Sequence, residues 1–93
     1  MVISFPVRLG RRLSEIREKR GLSQTQLADM AGIGRAHLSQ IENGAVATRV
    51  DTLYALAQAF ELTLVEIFKG FWAVVDRGPV GTQNRRLAKQ PRG

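Results

Sequence analysis

The sequence contains no cysteine, and only 6% of its 93 residues are aromatic. The absence of cysteine excludes disulfide bonds and thiolate metal sites within this chain. Its apolar runs fall far short of the roughly 18 residues that a membrane span requires. The N-terminal segment MVISFPVRLG lacks the basic start of a signal peptide. These absences predict a cytoplasmic protein with no membrane partner.

Residues with catalytic potential are also scarce. His37 is the only histidine, and the chain has neither clustered carboxylates nor a glycine-rich phosphate loop before a helix. An active site needs a nucleophile, a general acid or base, or a metal ion, held by several such groups together. A lone histidine does not hold a metal. We therefore expect no enzymatic activity, no metal and no cofactor.

The chain is strongly basic, with a net charge of +6 and a pI of about 11.1. Residues 1–70 carry nine Lys/Arg and seven Asp/Glu, whereas residues 71–93 carry five Lys/Arg and one Asp. A basic excess favours polyanionic partners such as nucleic acid, but most of it lies in the last segment. From Arg77 onward the composition predicts a flexible tail. Its basic residues either add nonspecific DNA affinity or are simply solvated; they are Arg85, Arg86, Lys89 and Arg92.

Apolar residues recur at helical spacing along most of the chain, as Leu9, Leu13 and Ile16 illustrate. Ser23 with Gln26, and Thr63 with Glu66, have the spacing of capping boxes that start helices. No strand is predicted before Lys69. The predicted helices are Pro6–Arg20, a helix opened by Ser23 and closed by Gly32, Arg35–Glu42, about Val50–Phe60, and a short fifth helix containing Leu64, Ile67 and Phe68.

The most informative segment is Gln24–Asn43, QTQLADMAGIGRAHLSQIEN, in which two short helices meet across Gly32-Ile33-Gly34. A sharp crossing needs a small residue on the first helix, and Ala28 provides it. The turn needs a left-handed backbone, which Gly32 adopts without strain. The second helix must bury apolar residues against the first, and Leu38 and Ile41 have the i, i+3 spacing to do so.

The opposite face of this second helix carries Arg35, Ala36, Ser39, Gln40 and Asn43, with no acidic residue and no lysine. A solvated helix face normally mixes Glu and Lys. A face that enters the major groove of DNA instead offers Arg, Gln, Ser and a small residue that can contact a thymine methyl. The composition of this face favours DNA binding.

Residues Leu9–Phe68 resemble the phage-repressor/Cro-type, or XRE-like, helix-turn-helix family, notably in REKRGLSQTQLA, IENG and LYALAQAF. The resemblance implies an all-α fold: a compact five-helix lambda-repressor-like DNA-binding domain over residues 1–70, with a C-terminal extension over 71–93. It also implies a sequence-specific transcriptional regulator of double-stranded DNA, acting as a dimeric repressor or autoregulator on an inverted repeat.

The resemblance further implies that Arg35–Glu42 is the recognition helix, with Gln24 on a phosphate and a partly buried salt bridge between Arg17 and Glu42. The expected DNA-contacting residues are Gln24, Arg35, Ala36, His37, Ser39, Gln40, Asn43 and Arg49. For His37, at the edge of the exposed face, phosphate proximity and plain exposure remain open. Two departures from the family are Gly34, where Ser or Thr is usual, and a loop without proline after Gly44.

An apolar cluster follows the fourth helix and consists of Leu64, Ile67, Phe68, Phe71 and Trp72. It either closes the core or forms a homodimer interface. We expect part of it at an interface, because a two-fold dimer places two recognition helices on half-sites about 34 Å apart. The run Phe71–Val75 fits either a helix or a strand that pairs across the dimer.

Three settings are compatible with such a regulator: a phage or mobile-element switch, a restriction–modification controller, and the antitoxin of a toxin–antitoxin pair. An antitoxin would hold a protein partner through residues 71–93. A second class is a protein-interaction module with the same fold and no specific DNA binding. Arg8, Arg11 and Arg12 at the start of the first helix are either solvated or near phosphates.

Overall fold

The computed structural model describes the backbone of residues 4–75 and the side chains of residues 4–69. Five helices, and no strand, are present in this part of the chain, which confirms the all-α fold. None of them combines the length and apolarity that a bilayer crossing demands. The helices are α1 (Phe5–Lys19), α2 (Gln24–Ala31), α3 (Arg35–Glu42), α4 (Val50–Phe60) and α5 (Leu64–Val75).

Both predicted capping boxes are present. The Ser23 hydroxyl accepts from the Gln26 amide at 3.0 Å, and the Gln26 side chain accepts from the Ser23 amide at 2.8 Å. Glu66 accepts from the Thr63 amide at 2.8 Å, while its own amide donates to the Thr63 hydroxyl at 3.1 Å. Each box satisfies two backbone groups that a helix start leaves unpaired, which sets where α2 and α5 begin.

The fifth helix is longer than the sequence predicted. It extends through residues 71–75 to Val75, so the alternative of a strand over Phe71–Val75 was wrong. The Thr63–Glu66 box starts the helix. Gly70 lies within it at a cost of about 1 kcal/mol relative to alanine, and residues 71–75 contain neither proline nor glycine. The helix therefore continues across the expected boundary at residue 70. The basic tail lies outside the described residues.

The core is a single cluster to which all five helices contribute. Helix α1 packs against α3 and α5, α2 packs against α3 and α4, and α4 packs against α5. Ala31, Leu64 and Phe68 are partly buried against this cluster. Its buried members are Leu9, Leu13, Ile16, Leu27, Ala28, Leu38, Ile41, Leu53, Leu56, Ala57, Phe60 and Ile67. The apolar positions expected from helical spacing thus form the interior that holds α3 in place.

Helices α1 and α3 approach each other closely at Gly10, where α1 crosses the C-terminal end of α3. A Cβ atom at Gly10 would lie 2.4 Å from the Ile41 carbonyl oxygen and 2.5 Å from that of Glu42. Gly44 follows α3 with φ +73°, and a Cβ there would lie 2.6 Å from Val7 Cγ2. The absence of side chains at these two positions lets the end of α3 sit directly on α1.

Arg12 of α1 and Arg20, the residue that caps its C-terminal end, hold α5 and α4 against it. Arg12 donates to the carbonyl oxygens of Ile67 at 2.7 Å and Glu66 at 3.0 Å. Arg20 donates to the Phe60 carbonyl oxygen, and its guanidinium carbon lies 5.5 Å from the centre of the Phe60 ring. Arg12 is therefore engaged within the protein, which neither sequence interpretation of the Arg8–Arg12 cluster foresaw.

Helix α4 ends at a residue with an unfavourable backbone. Glu61 has φ 59° and ψ 39°, the left-handed conformation that glycine adopts without strain. We expect Glu61→Gly to raise the free energy of unfolding by about 1 kcal/mol, since it removes the Cβ strain of this cap. Thermal unfolding should shift upward by roughly 4–8 °C. Glu61→Gln keeps the strain and should leave the midpoint unchanged; equal midpoints for both variants would refute the strain argument.

Candidate nucleic-acid interface

Helix α3 divides into a buried face and an exposed face. Leu38, Ile41 and Glu42 are buried, because their spacing places them on one side of the helix, against α1 and α2. The expected DNA-contacting residues of α3 and its C-cap lie on the other side. Arg35, Ala36, His37, Gln40 and Asn43 are exposed, and Ser39 is half-buried.

The N-terminus of α3 begins at Gly34, which has φ −74° and ψ 146° and provides no side-chain cap. The first amides of the helix are thus unpaired by any side chain at this position, and the helix dipole gives this end a partial positive charge. Nothing lies within 4 Å of a Cβ atom built at Gly34. The start of α3 is open to an incoming group.

The ion pair expected between Arg17 and Glu42 is present and links α1 to α3. Arg17 Nε lies 2.8 Å from Glu42 Oε2, and Nη2 lies 3.1 Å from Oε1. Arg17 Nη1 also donates to the Leu22 carbonyl oxygen at 2.8 Å. The hydrogen bond to Glu42 raises the pKa of the Arg17 guanidinium above its ordinary value. Glu42, the only acidic residue of α3, is only 4% exposed, so its charge is turned away from the exposed face.

Gln24, the first residue of α2, lies between this ion pair and the start of α3. Its side chain is half-buried. Its Nε2 donates to Glu42 Oε1 at 2.9 Å, and its Oε1 accepts from Arg35 Nη1 at 3.1 Å. Sequence reasoning assigned Gln24 a phosphate contact and missed both of these internal bonds. Gln24 lies at the opposite end of α2 from the Gly32 turn, and no local signal in the sequence specified either partner.

Arg49 precedes α4, where it is fully exposed and paired with an acid. Its Nε lies 3.2 Å from Asp51 Oδ1, and the hydrogen bond from Arg49 lowers the pKa of the Asp51 carboxyl. Asp51 Oδ1 also accepts from the Thr52 amide at 2.8 Å. Arg49 would have to exchange Asp51 for a phosphate, which makes it a weaker candidate for DNA contact than Arg35.

The residues expected at a dimer interface differ in their burial within the protomer. Ile67 is fully buried within the protomer, so its assignment to an interface was wrong: the i+3 step from Leu64 turns it into the core. Leu64 is partly buried, as is Phe68, whose ring centre lies 6.5 Å from that of Phe5. The side chains of Phe71 and Trp72 lie outside the described residues.

An exposed apolar surface adjoins Leu64 and was not predicted. Val50 is 75% exposed, Tyr54 56% and Val65 72%. Val50, Tyr54 and Leu64 line one shallow depression. We call Val50, Tyr54, Leu64 and Val65 the α4–α5 surface. Sequence periodicity assigned the buried positions of these helices and did not single out the apolar residues on their outer side.

Comparison with known proteins gives consistent similarities. The chain is 41% identical over 59 residues to the HTH-type transcriptional regulator PuuR of Escherichia coli strain K12, a match that covers 63% of this chain and 32% of PuuR. It is 32% identical over 75 residues to the uncharacterized HTH-type transcriptional regulator y4dJ of Sinorhizobium fredii, covering 81% of this chain and 92% of y4dJ. The chain thus spans about a third of PuuR but nearly all of y4dJ.

Among solved structures, the chain is similar to the restriction-modification controller protein C.AhdI from Aeromonas hydrophila. The two are 33% identical with a TM-score of 0.66, and the match covers 68% of this chain and 96% of C.AhdI. The family model HTH_3, described as helix-turn-helix, matches residues 13–67. That range contains α2, the Gly32 turn and α3, whose geometry is described above. The chain therefore belongs to the HTH_3 helix-turn-helix family.

Proposed function

We propose that this protein is a sequence-specific regulator of transcription that binds double-stranded DNA with α3 in the major groove. The observation that carries the proposal is the exposed face of α3. It presents Arg35 and Gln40, while the acidic side chain of the helix, Glu42, is buried against Arg17. DNA that approaches this exposed face would therefore not encounter a carboxylate of α3.

The exposed side chains match the donor and acceptor pattern of the major groove. Arginine donates to the O6 and N7 atoms of guanine, and glutamine pairs with N6 and N7 of adenine. Each such pair contributes about 1–3 kcal/mol of discrimination between bases. Ala36 suits a thymine methyl, and Ser39 lies beside Gln40. We propose that Asn43 and Arg49 contact phosphates, which fix orientation without selecting sequence, and that His37 either lies near a phosphate or is solvated.

The relatives support this proposal. PuuR is named a transcriptional regulator, and C.AhdI is named a restriction-modification controller. Because a single eight-residue recognition helix covers few base pairs, we further propose a homodimeric repressor or autoregulator that binds an inverted repeat. The likeness to C.AhdI favours a controller-type setting over an antitoxin.

Selection from random DNA duplexes tests the proposal directly. The wild-type protein should enrich an inverted repeat and should bind it at least about a thousandfold more tightly than a scrambled duplex. Affinity should fall steeply between about 50 and about 200 mM salt, because phosphate contacts release counterions. Arg35→Ala and Gln40→Ala should each reduce the preference at separate base pairs. Thr25→Ala, an exposed change on α2, serves as the control.

Enrichment of no sequence would contradict the proposal and would favour a protein-interaction module of the same fold. Enrichment that Arg35→Ala and Gln40→Ala both leave unchanged would show instead that another face contacts the bases. In either case the folded state of each variant is verified by thermal unfolding, so that loss of DNA binding is not confused with loss of structure.

For the dimer we propose the α4–α5 surface, extended by the outer side of α5. Val50 and Val65 are each more than 70% exposed, and Val50 shares a depression with Tyr54 and Leu64. Exposed apolar surface of this kind marks interaction sites. The surface lies on α4 and α5, whereas the side chains proposed to contact base edges lie on α3, although Arg49 borders the same depression as Val50. A dimer formed there leaves both recognition helices available to DNA.

Charge placed on this surface should prevent dimerisation. In sedimentation equilibrium, Val65→Glu is expected to remain a monomer at concentrations where the wild-type protein is a dimer, with an unchanged helical content by circular dichroism. Met30→Glu is the matched control, because Met30 is 53% exposed and belongs to α2, which contributes no residue to this surface. A Val65→Glu protein that dimerises like the wild type would place the interface elsewhere.

A further inference from the structure

Arg49 and Asp51 form an exposed ion pair where the loop after α3 enters α4. Arg49 Nε lies 3.2 Å from Asp51 Oδ1, and Nη2 lies 3.5 Å from Oδ2. The two side chains are 78% and 71% exposed. An ion pair that is surrounded by water contributes little to the stability of a fold. This pair is therefore open to any competing anion that reaches it.

The start of α4 holds Asp51 more firmly than it holds Arg49. The N-terminal end of a helix carries a partial positive charge, which favours a carboxylate and disfavours a cation. Asp51 lies in the first turn of α4, and its Oδ1 accepts from the Thr52 amide at 2.8 Å. Arg49 is the N-cap residue, and its side chain makes no capping hydrogen bond. Asp51 is thus the fixed member of the pair, and Arg49 is the member that can exchange its partner.

The phosphate contact proposed for Arg49 conflicts with this pair. The guanidinium directs Nε and Nη2 toward the carboxylate, and paired nitrogens of this kind are the ones that bind a phosphate through two hydrogen bonds. A phosphate must therefore displace Asp51 or approach the remaining Nη1 side. In either case it lies near a fixed negative charge that repels it. The carboxylate opposes the contact with the DNA backbone in both ways.

We infer that Asp51 is an intramolecular competitor of the DNA backbone, which occupies Arg49 in the free protein and lowers the affinity for every duplex. The inference rests on the proposed DNA-binding function and on the phosphate contact of Arg49. Phosphate contacts carry no sequence information, so the competition lowers the affinities for specific and scrambled duplexes by the same factor. Asp51 thus limits the total affinity for DNA, while discrimination between bases stays with α3.

Asp51→Asn tests the competition, because asparagine keeps an oxygen for the Thr52 amide and removes the charge. It should raise the affinities for the duplex enriched by the wild-type protein and for a scrambled duplex alike, by about 2- to 5-fold, the factor that corresponds to an exposed ion pair. A carboxylate that only stabilised the start of α4 would give no gain, so an unchanged or lower affinity would overturn the inference. Glu61→Gln, at the opposite end of α4, changes the net charge equally, and an equal gain there would also overturn it.

A double-mutant cycle with Arg49→Ala assigns the gain to Arg49. In the Arg49→Ala background only the repulsion between Asp51 and the phosphate remains, so Asp51→Asn should raise the affinity by a smaller factor there. Equal gains in both backgrounds would overturn the inference, because the two side chains would then act independently. Arg49→Ala alone should reduce the slope of log affinity against log salt concentration by about one. An unchanged slope would also overturn the inference, since Arg49 would then contact no phosphate.

Sedimentation equilibrium of Asp51→Asn excludes an indirect effect, because Arg49 and Asp51 both border the depression of the α4–α5 surface. The variant should have the same association state as the wild-type protein. A gain in DNA affinity accompanied by tighter dimerisation would overturn the inference in favour of an effect on the interface. Enrichment of no sequence by the wild-type protein would refute the DNA-binding proposal and this inference with it. Normal enrichment without coupling between Asp51 and Arg49 would refute only the inference.

Discussion

Glu42→Ala is expected to lower the free energy of unfolding by about 3–5 kcal/mol, the range for breaking a buried ion pair. The carboxylate is 4% exposed and accepts hydrogen bonds from Arg17 and Gln24. Its removal leaves the Arg17 guanidinium, only 13% exposed, without its main counter-charge. Urea unfolding monitored by circular dichroism measures the loss. Helix α3 loses its ion pair with α1 at the same time, so DNA affinity should fall as well.

Two controls identify the cause of this loss. Arg17→Met combined with Glu42→Leu removes both charges, and replacement of a whole buried pair by apolar residues is often neutral or stabilising. The double variant should therefore be more stable than Glu42→Ala. Glu18→Ala removes an exposed carboxylate 3.8 Å from Arg17 and should cost less than about 1 kcal/mol. If the double variant were the least stable of the three, an unpaired buried charge would not be the cause.

Gly10→Ala is expected to destabilise the protein by about 1–3 kcal/mol, the usual cost of overpacking. In an exposed helix interior the same change stabilises by about 1 kcal/mol, because alanine is the better helix former. Here the new methyl group would lie 2.4 Å from the Ile41 carbonyl oxygen. Helix α1 and the end of α3 would have to separate. Chemical denaturation measures whether the free energy of unfolding rises or falls. A rise would mean that the helix propensity of alanine dominates, and a fall would mean that the steric contact with α3 dominates.

Gly34→Ala is the matched control for this substitution. Gly34 has φ −74°, and a Cβ atom there would meet nothing within 4 Å. Only the weaker capping preference of alanine opposes the change, at a cost below about 1 kcal/mol. A Gly10→Ala variant more stable than the wild-type protein would mean that α1 and α3 do not approach as closely as the structure indicates.

Much of the fold follows from local signals in the sequence. The boxes opened by Ser23 and Thr63 set two helix starts, and Gly32 with φ +73° ends α2. Helical spacing identified the buried positions, because a helix of this size must bury one face to be stable. The end of α4 at Phe60 agrees with the prediction, but the left-handed conformation of Glu61 that follows it was not expected, because a residue with a Cβ atom rarely adopts it.

The parts of the site that depend on local sequence were predictable, whereas those that depend on contacts between distant residues were not. The exposed face of α3 was expected from periodicity, since burial of Leu38 and Ile41 turns Arg35 and Gln40 outward. The two side-chain hydrogen bonds of Gln24 were not expected, because its partners are 11 and 18 residues away in sequence. The close approach of α1 and α3 at Gly10 was not predicted either, although a glycine within a helix is itself a signal of close packing.

The most direct test of the account concerns the groove that α3 occupies. In the duplex enriched by the wild-type protein, each purine is replaced in turn by its 7-deaza analogue, which lacks the N7 acceptor of the major groove. We expect a loss of affinity of about 10-fold or more at the purines contacted by Arg35 or Gln40, and no further loss at those purines in the corresponding alanine variants. Undiminished binding to every 7-deaza duplex would contradict the account, because α3 would then not contact base edges in the major groove.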